Sequence, residues 1–179
     1  MIVAFDNILS VDIDVLLVNM LYITRLRIRK IGKYSILFRR IVLNTKFSMD
    51  KKQWKQPVIK HSKLTEYNYI VQYPENLKMG KFFDIGTFCY INCRYDVEIQ
   101  DEVQIGSHCS IYSHSTIDDK KGKVILKKNC KIGTHSTIMP GITIGENSII
   151  GAYSFVTKDV PENEIWFGIP AEFKKSIKK

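Results

Sequence analysis

Three of the chain's four histidines stand in one phase of a recurring pattern. His108, His114 and His135 each follow an aliphatic residue (Ile105, Ile111, Ile132) by three positions. A free imidazole changes charge near neutrality, so such residues suit a general base or a metal ligand. Asp118 and Asp119 come shortly after His114. Either carboxylate could orient an imidazole, or both could simply form the polar tip of a loop. Lys158 follows Thr157 near the end of the pattern, where an ammonium serves as a compact point charge for an anion or as an ordinary surface lysine.

The element that must position these side chains is a repeat of period six. Ile85, Ile91 and Val97 begin it. After a two-residue shift, Ile99, Ile105, Ile111 and Ile117 continue it. Nine residues then separate Ile117 from Leu126, and Leu126, Ile132, Ile138, Ile144, Ile150 and Val156 resume the series. Small residues punctuate it: Gly86, Gly106, Gly133, Gly145 and Gly151 directly after the aliphatic, and Cys109, Ser115, Ser136, Ser148 and Ser154 four positions after it. Neither a 3.6-residue nor a 2-residue period yields a six. Six residues make a short strand and a tight corner, and three such units close a triangular coil of about eighteen residues. The aliphatic points inward, so the histidine phase points outward. Counting Ile117 as a rung puts Ile111 and Ile132 three units apart. On that count His114 and His135 stack, with the loop Asp118–Lys123 emerging between them, and His108 lies on the preceding face.

The remaining zones are less regular. Residues 1–48 read as a helical, basic extension, with Arg25, Arg27, Arg29, Lys30, Lys33, Arg39 and Arg40 clustered in it. Residues 49–78 read as a polar lead-in and cap, 79–160 as the repeat, and 161–179 as a C-terminal segment. The formal charge of +9 and pI near 9.3 favour an anionic partner. Basic residues are not interleaved with aromatics as stacking platforms for a nucleic acid would be, so none is expected. The apolar run Ile8–Ile23 carries Asp12 and Asp14, which makes it a poor transmembrane span. At most a weak peripheral membrane contact through residues 1–48 is expected. No signal peptide is evident, and Cys89, Cys93, Cys109 and Cys130 lack zinc-like pairing, so a cytoplasmic chain with reduced thiols is expected.

The stretch Ile132–Ala152 (IGTHSTIMPGITIGENSIIGA), with Val156–Pro161 and Phe167–Ala171, resembles the hexapeptide-repeat acyltransferases over residues 74 to 175. The resemblance implies an all-β repeat, a left-handed parallel β-helix, here with a helical N-terminal extension and a short C-terminal tail or helix. It further implies a homotrimer with active sites between subunits and acetyl-CoA as acyl donor, with no metal. Bacterial sugar O- and N-acetyltransferases of surface-polysaccharide synthesis are the nearest likeness. The acceptor is then a small-molecule sugar, either a nucleotide-linked amino sugar or a sugar hydroxyl.

Acyl transfer from a thioester needs a base, and His114, His135 and His108 are the candidates. Many relatives carry the base two residues further on, where this chain has Thr116. For an amino sugar, water could serve instead. The resemblance assigns the donor groove to Gly151, Ala152 and Ser154, a nucleotide phosphate to Thr157 and Lys158, and the wall beside the adenine to Gly168, Pro170 and Ala171. The basic tail Lys174, Lys175, Lys178 and Lys179 adds positive potential there. Two alternatives remain open. One is a zinc site like that of the γ-class carbonic anhydrases, which needs three imidazoles converging at about 2.1 Å on one point. The other is a non-catalytic, membrane-associated scaffold resting on residues 1–48.

Overall fold

A computed structural model describes residues 54–178. The helical reading of residues 1–48, and the membrane contact assigned to them, lie outside the described residues. The repeat winds through β1 (Ile70–Gln72), β2 (Leu77–Met79) and β3 (Asp84–Ile85) in its first coil. The second coil is β4 (Tyr90–Asn92), β5 (Val97–Ile99) and β6 (Gln104–Ile105). The third is β7 (Ser110–Tyr112), β8 (Val124–Leu126) and β9 (Lys131–Ile132), and the fourth is β10 (Thr137–Ile138), β11 (Thr143–Ile144) and β12 (Ile149–Ile150). A last partial coil holds β13 (Phe155–Val156) and β14 (Glu164–Phe167), and β15 (Glu172–Ser176) folds back on β14.

Every third strand is a neighbour, so three parallel sheets form the walls of a prism: β1-β4-β7-β10-β13, β2-β5-β8-β11, and β3-β6-β9-β12-β14 with β15 at its edge. This is a left-handed parallel β-helix. Its core is a set of ladders. On the first wall Ile91, Ile111, Ile138 and Val156 follow one another in register, all fully buried. Each such isoleucine contributes about 1.5–3 kcal/mol through area removed from water.

The corners are tight enough to demand left-handed backbone, and most are occupied by residues other than glycine. Phe88, His108, His135 and Tyr153 have φ of 60°, 60°, 58° and 55° at one column of corners. Asn129, Asn147 and Asn163 form another column, linked by side-chain amides at 2.8 and 3.2 Å. Asparagine tolerates this conformation through local hydrogen bonding.

Three expectations change. The first coil begins at Ile70, inside the stretch read as lead-in, with Val71 stacked beneath Ile91. The C-terminal segment, read as a tail or helix, is the antiparallel pair β14–β15. Ile117 is not a rung: it is 98% exposed, at the tip of the loop joining β7 to β8. The mate of Ile111 is therefore Ile138, and Ile132 stacks on Ile105 and Ile150.

Candidate functional site

Correcting the rung count rearranges the histidines. His135 does not stack on His114. It stacks on His108, with ring centroids 4.6 Å apart and planes 5° from parallel. Both sit at the corner between the third and first walls, and adjacent coils lie about 4.8 Å apart, the spacing of ring stacking. Tyr153 extends the column at 4.6 Å and 9°, and Phe88 begins it 5.2 Å from His108. Stacked flat in this way, the two imidazoles do not converge on a common point within one chain. Among the described residues no group of three His, Cys, Asp or Glu side chains is placed to hold a metal.

His114 lies at a different corner, between the first and second walls, where the inserted loop leaves β7. It was expected to face solvent, yet it is only 8% exposed. The loop folds over it as a small ribbon: His114 bridges to Lys121, Ser115 N–H donates to Lys120 O at 2.9 Å, and Gly122 N–H to Ser113 O at 3.1 Å. Nε2 of His114 lies 3.3 Å from Oδ1 of Asp119. The Lys121 ammonium, 3.0 Å from the other carboxylate oxygen, and His114 together hold Asp119 below its ordinary pKa. Asp118 is held down to about 2 by Ser115 and Lys120. An ionised Asp119 is acceptor-only, so the imidazole proton belongs on Nε2 and the lone pair on Nδ1. Of the two aspartates open to this role, Asp119 is the one paired with a histidine.

Several neighbours of His114 were not singled out by sequence. The Tyr95 ring meets the His114 ring edge-on at 5.2 Å. Tyr95 N–H donates to Ser113 Oγ at 2.9 Å, and that hydroxyl donates to Asn92 O at 2.8 Å. The twenty-residue coil from β4 to β7 was the signal that could have found them. It sets Asn92 beside Tyr112 and so brings Tyr95 near His114.

The residues assigned to the donor divide by exposure. Ala152, Thr157, Lys158 and Pro170 are exposed. Ser154 is buried, its hydroxyl donating to Gly151 O at 2.6 Å and accepting from Gly168 N–H at 3.2 Å. Ala171 is buried as well, its N–H donating to Phe155 O at 2.8 Å. Gly151 has no room for a Cβ, which would lie 2.7 Å from Cβ of Phe167. These last residues shape the edge of the stacked corner from within. On the third wall beside that corner, a groove of about 300 Å³ runs over Gly106 and Gly133, lined also by Asp84, Lys131 and Ile149. The four cysteines are buried free thiols.

This left-handed β-helix and its six-residue repeat resemble those of the hexapeptide-repeat proteins. Residues 123–158 match the family described as bacterial transferase hexapeptide (six repeats). The chain resembles the hexapeptide-repeat acetyltransferases, sugar O-acetyltransferases among them. It is 34% identical over 113 residues to a galactoside O-acetyltransferase of Lactococcus lactis subsp. lactis (strain IL1403), a match covering 55% of each chain. The chain thus spans about half the length of the curated relatives it matches. The structure superposes on a maltose O-acetyltransferase from Clostridium difficile 630 with a TM-score of 0.56 and 31% identity, covering 63% of this chain and 65% of that one. A galactoside acetyltransferase solved in complex with coenzyme A gives a TM-score of 0.56 and 31% identity over 62% of this chain and 59% of that one.

Proposed function

We propose that this chain is an acetyltransferase that moves the acetyl group of acetyl-CoA directly onto a sugar hydroxyl. The observation that carries the reading is the His114–Asp119 pair beneath the inserted loop. A base with a free lone pair and an oriented partner is what acyl transfer to a hydroxyl requires. The hydroxyl oxygen attacks the thioester carbonyl carbon while Nδ1 of His114 takes its proton. The tetrahedral intermediate then collapses, the C–S bond breaks, and the imidazolium returns the proton to the departing thiolate. A hydroxyl is preferred to an amine because the relatives above 30% identity with named acceptors, galactoside and maltose, are O-acetyltransferases, whereas an N-acyltransferase from Bacillus cereus is 24% identical. His108 and His135 serve the stacked corner instead. The exposed Ala152 beside that corner, and the exposed Thr157 and Lys158 that follow β13 at the corner between the first and second walls, are assigned to the donor, with support from the solved relative with coenzyme A and from the resemblance of the Val156–Pro161 segment. A cytoplasmic homotrimer acting on surface-polysaccharide sugars extends the reading on the strength of the resemblance, and sedimentation equilibrium tests its mass.

The test is acetyl-CoA consumption with a panel of galactosides, glucosides and amino sugars. His114→Ala is expected to lower kcat at least about 100-fold. His108→Ala and His135→Ala should lower it less. Turnover on no sugar, or an undiminished His114→Ala enzyme, overturns the reading.

A further inference from the structure

Beside His114, the corner between the first and second walls presents a cation that no acidic side chain among the described residues neutralises. The loop lysines are spoken for: Lys120 pairs with Asp118 at 2.9 Å, Lys121 with Asp119 at 3.0 Å, and Lys123 with Glu98 at 2.6 Å. Arg94 differs. It is exposed, and among the described residues no carboxylate lies within ion-pair distance of its guanidinium. Glu75 and Asp96 are near enough to act electrostatically on the buried thiol of Cys93, yet neither reaches Arg94 as an ion pair.

The arginine is nonetheless held. Its guanidinium carbon lies 5.9 Å from the centroid of the Tyr73 ring and 6.0 Å from that of Tyr95. Cation–π attraction operates at this range. Its backbone is fixed on both sides, with its N–H donating to Asn92 Oδ1 at 3.1 Å and its carbonyl accepting from Asn76 Nδ2 at 3.3 Å. Tyr95 also packs edge-on against His114, so one ring couples the free guanidinium to the base. Two aromatic faces steady the guanidinium and leave its N–H fork unspent. Such a fork matches a carboxylate or phosphate through two parallel hydrogen bonds.

We propose that the acceptor sugar carries an oxyanion, a carboxylate or a phosphate, and that Arg94 receives it while His114 addresses a hydroxyl of the same molecule. The inference rests on the acetyltransferase reading and names its substrate class. The test compares methyl galactoside, galacturonate and galactose 1-phosphate as acceptors for the full chain, its Arg94→Gln variant and its Arg94→Lys variant. For the unaltered protein, kcat/KM for at least one charged sugar should exceed that for the neutral sugar by about tenfold or more, mainly through KM, and the preferred arm identifies the anion. Arg94→Gln should bring that ratio close to one, and Arg94→Lys should restore part of it. Equal use of charged and neutral sugars, or a loss in Arg94→Gln that is the same for all three, overturns the proposal. If no sugar is acetylated, the parent reading fails by itself, and calorimetric binding of galactose 1-phosphate decides the fate of Arg94. Binding that Arg94→Gln abolishes upholds an anion receptor, and absent or equal binding removes it.

Discussion

Asp119 joins the loop to the chemistry, because its two carboxylate oxygens face different partners, His114 and Lys121. Asp119→Asn keeps the size and removes the charge, so the imidazole loses the partner that fixes its tautomer. The expected outcome is a kcat lowered about tenfold or more with KM for acetyl-CoA little changed, read from steady-state kinetics. The buried thiols give a prediction of the opposite chemical kind. Burial pushes Cys93 and Cys130 up to about 12. An unfolded thiol titrates near 8.5. Between those values the unfolded chain has released protons that the folded chain retains. Stability from these thiols is therefore intact below about 8.5 and falls as pH rises toward 12. Melting temperature should decline across that window, and Cys130→Ala should flatten the decline while lowering the plateau through the lost packing. A slope unchanged in Cys130→Ala removes this account of alkaline loss.

At the scale of strands and corners, coil stacking leaves little room where glycine precedes a turn. A Cβ on Gly133 would lie 2.3 Å from Ala152 N and 2.7 Å from its Cα, both in the next coil's backbone. Since backbone cannot swing aside as a side chain can, Gly133→Ala should cost about 2–3 kcal/mol or more in urea unfolding. Gly141 is the contrast: the nearest atom to its Cβ position is Gly122 Cα at 4.0 Å, and only its φ of 83° opposes alanine. There the cost should be about 1–2 kcal/mol. The same packing explains what the sequence could convey. Ile132, Ile138, Ile144, Ile150 and Val156 were legible because their rungs are aliphatic and the steps Leu126 to Ile144, Ile132 to Ile150 and Ile138 to Val156 each span eighteen residues. Ile117 defeated that logic. It has the right spacing and character, but lies in the insertion that lengthens the step from Ile111 to Ile138 to twenty-seven residues. One false rung shifted every face by a third of a turn and paired His114 with the wrong neighbour. The aromatic corners were illegible for another reason. Phenylalanine and tyrosine rarely adopt positive φ, so nothing in Phe88 or Tyr153 alone announces a corner.

Across the whole molecule, an excess of nine positive charges sets a field that a polyanionic donor would feel before it docks. Such steering is screened by salt, the Debye length falling from about 30 Å at 0.01 M to about 8 Å at 0.15 M. If Lys158 meets a phosphate of the donor, two effects should separate. The diffuse field raises kcat/KM for acetyl-CoA at low salt in every variant that keeps most of the charge. A direct contact at Lys158 adds a further dependence that only its own removal abolishes. Lys158→Gln should therefore weaken KM for acetyl-CoA severalfold at low ionic strength and give a shallower fall with added salt, the two proteins converging at high salt. Lys128→Gln is the matched control: it removes one equal charge from an exposed lysine at the corner between the second and third walls, beside Gln100 and Asp101. It should reproduce the small loss due to net charge and leave the slope unchanged. Identical slopes for Lys158→Gln and Lys128→Gln would assign the salt dependence to the field alone and withdraw Lys158 from the donor site.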